Sequence, residues 1–442
     1  MKKSSFIIFI FFIAFAFRWL LLQYGNHGDL LVNTAWGEWI YKYGAKGFYE
    51  AEGWIYSSPT QPPLINLLYG FNFYLYDRLQ FLFTTMGVLI ANYHLIPTKM
   101  IWFFDFTKWF GMSFYQDTPF RIGALISMKL LAVFSDILIG VIIYSLAKKM
   151  TPTRAIWWVA AYLFMPVSWY LSALWGQYDQ ISFLFLLITF LMLEKKLFIF
   201  APVFLAVSIG FKPTSLIFIP LFLFLYFKLK PNIKEILISL ILATLTILGP
   251  IMLFADKNML GFIAQELIPR IFFKSEFRVS TNAFNFWHIL IGDQALNQNT
   301  LFLFIPAKIW GWGAFIILNI FTFLKIKQIN KQNIFEAMFL IGIGSWLFLT
   351  NMLDRYIFSG LIVLLIFSIY QPKIFKYWLI LAIIFCLNLF NHWWFPNNLQ
   401  FLKDLMIWQD SLITRALSFI NLITFVWIIY YLKYKNSLDY KK

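Results

Sequence analysis

Long apolar runs separated by short polar turns dominate the hydrophobic pattern of the chain. Since a transmembrane helix needs about 20 mostly apolar residues, each run is a candidate span. The pattern predicts twelve spans with both termini on the inner side, at 6–22, 122–147, 155–173, 178–193, 197–211, 214–229, 236–254, 302–324, 335–351, 356–370, 377–391 and 413–432. Two of them, 178–193 and 197–211, are short for a span and favour tilted helices or a hairpin tucked among other helices.

Three longer segments, 25–120, 255–301 and 392–412, are rich in Trp, Tyr, Asn and Asp and are predicted to lie on the outer side. Within the first, 64–83 and 86–104 are apolar but are interrupted by Asn, Asp, Arg and His. We expect them to form helices in the outer interface, with a transmembrane hairpin as the alternative. Residues 1–442 are therefore expected to form a single integral membrane domain.

Composition strengthens this interpretation. Hydrophobic residues make up 61% of the chain and charged residues 13%, against about 45–50% and 25% in soluble domains. A soluble fold could not hide this much apolar surface, and the single cysteine, Cys386, excludes a disulfide framework. The fold class expected is an all-α polytopic membrane protein with about 12 transmembrane helices.

The net charge of +16 reflects topology. Lys and Arg concentrate in short stretches that coincide with the predicted inner turns and termini: 1–5, 148–154, 194–196, 228–235, 325–335, 371–376 and 433–442. Basic residues in short cytoplasmic loops orient membrane proteins and contact anionic lipid. Membrane lipids are therefore the expected partner of these charges, and nucleic acid is not.

The first candidate for chemistry is His27-Gly28-Asp29, just beyond the first span, with Trp36, Glu38 and Trp39 following. A carboxylate at the membrane boundary can take a proton from a sugar hydroxyl as a general base. The alternative is a helix cap followed by an aromatic belt at the interface.

Two further candidates lie in outer turns. Trp175-Gly176-Gln177-Tyr178-Asp179 places an ionisable group near the mouth of the membrane and makes Asp179 a second candidate base; a simple turn between helices is the alternative. Lys212, before Pro213, interrupts a long uncharged stretch and suits a phosphate; snorkelling toward headgroups is the alternative.

The outer loop that follows carries Arg270, Arg278, Asn285 and Trp287, a set that suits a phosphate next to a sugar ring, and Arg355 lies at the start of a later span. An ion pair or a cap is the alternative for Asp354 and Arg355. The four histidines, His27, His94, His288 and His392, have no metal-ligand spacing, so no cofactor is indicated, although a divalent metal stays open.

In their order along the chain these signals resemble the GT-C superfamily of integral-membrane glycosyltransferases. The likeness is greatest to the dolichyl-phosphate-glucose-dependent glucosyltransferases of lipid-linked oligosaccharide synthesis and to bacterial mannosyltransferase-like relatives. It covers roughly residues 25–360. The matching positions are Gly28-Asp29 with Trp36, Pro62-Pro63-Leu64, Lys129 with Asp136, Gly176-Gln177-Tyr178-Asp179, Phe211-Lys212 with Pro220, and Arg270, Arg278 and Asn285-Phe286-Trp287. Two positions depart from the family: its acid before the aromatic-Pro-Pro is replaced around 58–61, and its His-Glu-Lys reads Leu353-Asp354-Arg355.

The resemblance implies an inverting transfer of a hexose from a polyprenyl-phosphate-linked donor to a lipid-linked or surface glycan acceptor. Asp29 would be the general base. The expected phosphate ligands are Lys212, Arg270, Arg278 and Arg355. The expected sugar contacts are Trp36, Trp175, Gln177, Asn285 and Trp287. The expected location is a bacterial or archaeal plasma membrane, with the active site on its outer face. A transporter of lipid-linked sugars and a non-catalytic subunit of a glycan assembly system are the alternatives.

Overall fold

The computed structural model describes residues 3–25, 27–80, 120, 122–256, 258–273, 277–408 and 411–439. These residues are mostly helical, and the sheet among them is one short antiparallel hairpin of β1, Leu301–Phe302, and β2, Ile305–Pro306. The predicted interfacial helix at 86–104 lies outside the described residues.

The α-helices are, in chain order, α1 Lys3–Leu21, α2 Gly28–Tyr43, α3 Pro63–Arg78, α4 Ile122–Met150, α5 Ala155–Phe164, α6 Pro166–Trp169, α7 Asp179–Glu194, α8 Phe200–Phe211, α9 Ile219–Lys228, α10 Ile233–Phe254, α11 Met259–Phe262, α12 Phe286–Ile291, α13 Ala307–Lys325, α14 Lys331–Phe348, α15 Phe358–Tyr370, α16 Phe375–Trp393, α17 Gln400–Met406 and α18 Leu412–Asp439. Short 3₁₀ segments cover Pro213–Phe218, Asp354–Ile357 and Pro372–Ile374. π-helical turns cover Tyr170–Trp175, Ile263–Leu267 and Pro269–Phe273.

Five helical segments of the described residues are long and apolar enough to cross a membrane. They are Ile122–Met150, Ile233–Phe254, Ala307–Lys325, Pro372–Trp393 and Leu412–Lys433. A sixth candidate is bent by 44° between Ala155–Phe164 and Pro166–Trp175. The bend follows from Pro166, which lacks an N–H and cannot continue the helix of α5. The molecule is therefore compatible with a membrane protein built from helices.

Each of the twelve predicted spans contains a helix, although their crossing of a bilayer stays a prediction. The prediction for 302–324 began too early, because 301–306 forms the hairpin and α13 starts at Ala307. The predicted interfacial helix at 64–83 ends at Arg78.

Exposed apolar side chains show which helices face the surroundings. Ile241 and Leu245 of α10 and Ile317 of α13 are among many large apolar residues that are more than half exposed. Soluble proteins rarely expose contiguous surfaces of this kind, whereas lipid accepts them. By contrast, α14 and α15 are buried along nearly their whole length and form the centre of the bundle.

The turns predicted on the inner side lie together in the structure. Lys331, before α14, is 3.4 Å from the carboxylate of Glu194 at the end of α7. Lys228, at the end of α9, donates to the carbonyl of Ile326 at 2.5 Å. The helices that these turns join therefore end at a common face.

The turns predicted on the outer side meet in the same way. Gln177 donates to Asp29 at 2.6 Å, Asn282 lies 2.8 Å from the ring of His392, and Tyr170 donates to the carbonyl of Phe395 at 2.7 Å. Residues from all three predicted outer segments thus lie together at one end of the bundle.

Candidate active site

A polar cavity of about 340 Å³ lies between the first outer segment and the turns that follow α6, α8 and α14. It brings together six residues that the sequence singled out: Asp29, Trp36, Gln177, Lys212, Arg270 and Arg355. The rest of its lining is Val32, Asn33, Ser57, Thr60, Gln61, Tyr178, Pro213, Thr214, Ile271, Leu353 and Tyr356.

Asp29 lies in the first turn of α2, and its side chain is 40% exposed. The residue that caps this helix is His27, whose Nδ1 accepts the main-chain N–H of Asp29 at 3.1 Å. The carboxylate is thus free of the capping role. Its Oδ2 accepts hydrogen bonds from Gln177 at 2.6 Å, from the indole of Trp175 at 3.3 Å and from Arg355 at 3.3 Å.

The surroundings of Asp29 keep it ionised. Burial raises the pKa of this carboxyl, but the charge of Arg355 and the hydrogen bond from Trp175 outweigh it, so the pKa lies below its usual range. The N-terminus of α2 also favours negative charge in its first turn. An ionised carboxylate at the cavity wall is the state a general base requires.

Arg355 lies between two carboxylates. Its guanidinium is 3.3 Å from Asp29 and 3.5 Å from Asp354, and it stacks on the ring of Trp175 at 5.3 Å. Burial lowers the pKa of Arg355, but Asp29 and Asp354 outweigh this effect and hold it above the usual range. Both ion pairs are long, and the buried Nε makes no hydrogen bond among the described residues.

Lys212 occupies the break between α8 and the following 3₁₀ segment, where Pro213 prevents the helix from continuing. Its ammonium is 2.6 Å from Asp179, and both side chains are 7% exposed. The rings of Tyr178 and Tyr356 flank it at 5.1 and 5.3 Å. Asp179 is thus the counterion of Lys212, which makes it a poorer candidate base than Asp29.

Arg270 reaches the cavity from the π-helical turn after α11. It pairs with Glu266, one turn earlier, at 2.9 Å, and its side chain is 15% exposed. It completes a set of three cations that face the cavity from three different parts of the chain.

Three predicted site residues lie away from the cavity. Arg278 forms an isolated bridge with Asn297, outside the cavity lining. Asn285 caps α12 by accepting the N–H of His288 at 3.1 Å, and Trp287 is buried and donates to a main-chain carbonyl. Asn285 and Trp287 thus stabilise α12 and its packing and do not line the cavity.

Trp175 lies outside the cavity lining and contacts the site through Asp29. It is fully buried and packs against His27 at 4.3 Å, His392 at 5.2 Å and Trp393 at 5.6 Å. The expectation that its ring stacks on a sugar is therefore wrong, because no face of the indole is open. Its contribution is the N–H that it donates to Asp29.

Sequence reasoning gave no role to His27 or His392, and for Asp354 it offered only an ion pair or a cap; all three residues support the site. Asp354 is fully buried, and its second oxygen is 3.7 Å from the ring of His392. Burial raises the pKa of Asp354, and burial also lowers the pKa of His27 to about 4. The contact of His392 with this group had no sequence signal, since the two segments meet only in the folded chain.

Lys129 joins the two segments that carry Asp29 and Gln177. Its buried ammonium donates to the carbonyls of Tyr24 and Ala173 at 2.8 Å each and of Leu22 at 3.2 Å. The turn then ends at Gly176, which has a φ of 77° and no room for a Cβ. The family-like Lys129 is therefore a positioning residue, since it fixes the end of α1 against the turn before Gln177.

Among the described residues no group of three His, Cys, Asp or Glu side chains is arranged to hold a metal ion. In comparisons with known proteins, no family model matches the chain, and no curated protein is significantly similar to it.

Proposed function

We propose that this protein is an integral-membrane glycosyltransferase that moves a hexose, with inversion, from a polyprenyl-phosphate donor to a lipid-linked or surface glycan. The observation that carries the proposal is the polar cavity, where the ionised Asp29 faces Lys212, Arg270 and Arg355. The cavity lining thus offers a base together with positive charge for a phosphate.

In this mechanism Asp29 accepts the proton of the acceptor hydroxyl while the hydroxyl oxygen attacks the anomeric carbon. The bond from that carbon to the phosphate oxygen breaks, and its electrons leave with the lipid phosphate. Because attack and departure occur on opposite faces of the sugar, the anomeric configuration inverts. Gln177 and Trp175 hold the carboxylate by the hydrogen bonds described above.

Lys212 and Arg355 are suited to the leaving phosphate. Charge-assisted hydrogen bonds to phosphate are stronger than neutral ones, and fixed cations stabilise the charge that develops on the leaving oxygen. In the described part of the chain the buried Nε of Arg355 makes no hydrogen bond, so the pairing of this guanidinium is incomplete.

An apolar groove of about 480 Å³ supports a lipid-linked donor. It runs between α1, α6 and the end of α16, and its lining includes Leu21, Trp169, Phe390 and Phe395. The ring centroid of Tyr170, which lines the groove, lies 6.3 Å from that of Trp175, whose indole N–H donates to Asp29. An isoprenoid chain fits a surface of this composition.

The decisive experiment gives the purified protein a polyprenyl-phosphate hexose together with lipid-linked or surface glycan acceptors. Transfer with inverted anomeric configuration, read by NMR of the product, is expected. Movement of the intact donor across a vesicle membrane without transfer would instead identify a transporter. Absence of both activities would refute the proposal and favour a non-catalytic subunit.

We place the cavity on the outer face of a bacterial or archaeal plasma membrane, by the charge of the opposite turns. Cysteines placed at Lys46, Gln298 and Lys331, after replacement of Cys386, test this orientation. Positions 46 and 298 should react with an impermeant thiol reagent in intact cells, and position 331 should react only after permeabilisation. Labelling of 331 from the same side as 46 would overturn the topology.

A further inference from the structure

A second cavity, of about 190 Å³, lies beside the polar cavity on the neighbouring face of α2. We call it the aromatic groove. Its lining includes Glu38, Trp39, Lys42, Tyr43, Glu52 and Trp54. The rings of Trp39 and Trp54 lie 6.0 Å apart, and those of Trp39 and Tyr43 lie 5.4 Å apart.

Several polar groups of the aromatic groove have no hydrogen-bond partner in the part of the chain that the structure describes. These are the indole N–H of Trp39, the hydroxyl of Tyr43 and the carboxylate of Glu52. By contrast, the indole of Trp54 donates to a main-chain carbonyl at 2.9 Å. The groove thus combines aromatic surface with donors and acceptors that no protein group uses.

We propose that the aromatic groove binds the saccharide of the acceptor. A pyranose ring presents an apolar C–H face, which packs on an indole, and hydroxyls at its edge, which bond to carboxylates and N–H groups. Such sites are concave, mostly apolar and oriented by a few polar groups, as this groove is.

The groove and the polar cavity are lined by different residues of the same two segments. Both are lined by α2 and by the segment after it: Glu52 and Trp54 line the groove, while Ser57 and Gln61 line the cavity. Trp39 follows Asp29 by ten residues on α2, about 15 Å along the helix axis. A saccharide that reaches both places has several sugar units, with its acceptor hydroxyl at Asp29. This geometry rests on the proposed function.

The charge of the groove lining favours a saccharide over a phospholipid headgroup as the occupant. Aromatic residues also form belts at membrane interfaces, where they contact phospholipid. Here Lys42 is paired with Glu38 at 2.7 Å, which leaves the carboxylate of Glu52 as the unpaired charge. A phosphate would be repelled by that carboxylate, whereas neutral sugar hydroxyls donate to it.

The test measures saccharide binding by saturation-transfer NMR on the protein in nanodiscs. The probes are glucose- and mannose-based oligosaccharides of one to five units. Affinity should increase with length in the wild type. Trp39→Ala should weaken binding of the longer probes by about tenfold, and Trp39→Phe should restore most of it. Trp157→Ala removes an indole that is more exposed than that of Trp39, from α5 near the opposite turns, and should change nothing.

Three results would refute the proposed saccharide site. No probe binds the wild type, Trp39→Ala binds probes of all lengths as the wild type does, or the saturation-transfer signal depends only on the anionic lipid content of the nanodisc. Acceptor kinetics then separate the two proposals. If hexose is transferred and the acceptor KM changes neither with Trp39→Ala nor with acceptor length, the groove proposal is refuted and the enzyme proposal is not. Length-dependent binding in a protein that transfers no hexose refutes the enzyme and leaves the saccharide site.

Discussion

Two clusters of charged side chains use similar residues and differ in how completely they are paired. In the first, packed between α1, α4 and α6, Arg18 Nε is 3.2 Å from Asp136, and neither side chain is exposed. Tyr162 and Ser172 also donate to Asp136, and Arg18 donates to Ser168 and to a main-chain carbonyl. Both oxygens of Asp136 and every guanidinium nitrogen of Arg18 have a partner.

The second cluster, around the polar cavity, is incompletely paired. Arg355 Nε and one oxygen each of Asp179 and Asp354 are buried without a hydrogen bond in the described part of the chain. Each such atom costs about 1–3 kcal/mol. The complete pairing of Asp136 is typical of a structural ion pair. The incomplete pairing around the polar cavity is typical of a binding site.

The sharpest way to break this contrast is to replace Asp29. Asp29→Asn keeps the size of the side chain and the hydrogen-bond acceptor but removes basicity. Turnover should fall by about 10²–10⁴-fold, the usual contribution of a general base. Thermal unfolding in detergent should stay near that of the wild type, because the helix cap is His27.

Asp179→Asn is the matched control, since Asp179 is the second candidate base and the counterion of Lys212. It should lose less turnover and mainly raise the KM for the donor. If Asp29→Asn remains active while Asp179→Asn is inactive, the base is Asp179. If both remain active, neither carboxylate is the base.

Asp136→Asn should have the opposite profile. Breaking a buried ion pair by removing one partner costs about 3–5 kcal/mol, because the other charge is left uncompensated. We expect a large drop in the unfolding midpoint, with KM values of the surviving protein unchanged. The double variant Arg18→Met, Asp136→Leu should recover much of the stability, since apolar residues of similar volume often replace such pairs. No recovery, or a KM effect, would place Asp136 in function.

Lys212→Met should raise the donor KM by roughly tenfold to a hundredfold, since a charged hydrogen bond contributes about 1.5–3 kcal/mol. Lys331→Met is the control, because Lys331 pairs with Glu194 at the opposite end of the bundle. Arg278→Ala, which the sequence analysis ranked with Lys212, should have a small effect because Arg278 lies outside the cavity. Equal effects at the three positions would mean that these cations act through general membrane electrostatics and that Lys212 is not a specific phosphate ligand.

The sequence was informative where a residue type was unusual for its position. Asp29, Lys212 and Arg355 interrupt or border apolar runs, and all three line the cavity. The same reasoning placed helices in all twelve apolar runs, because hydrophobic length is a strong local signal.

The sequence was uninformative where a residue is defined by its distant partners. Asn285 and Trp287 were expected to contact a sugar, yet Asn285 caps α12 and Trp287 donates to the carbonyl of Phe348, 61 residues away. Nothing in the sequence indicated that Asp136 pairs with Arg18, which lies 118 residues away. Pairing across the bundle depends on tertiary packing, which no local pattern encodes.

The pH dependence of stability tests the helix cap that leaves Asp29 available for chemistry. His27 caps α2 through an unprotonated Nδ1, and burial lowers its pKa from 6.5 to about 4. The unfolded chain therefore binds this proton more readily between those values, so stability is lost as the pH falls through this window, by at most about 1.4 kcal/mol per pH unit. His27→Asn retains a capping oxygen and cannot titrate, so its unfolding midpoint should depend less on pH between 6.5 and 4. If the two proteins show the same pH slope, His27 is not buried in its neutral form, and the capping geometry that frees Asp29 for chemistry is incorrect.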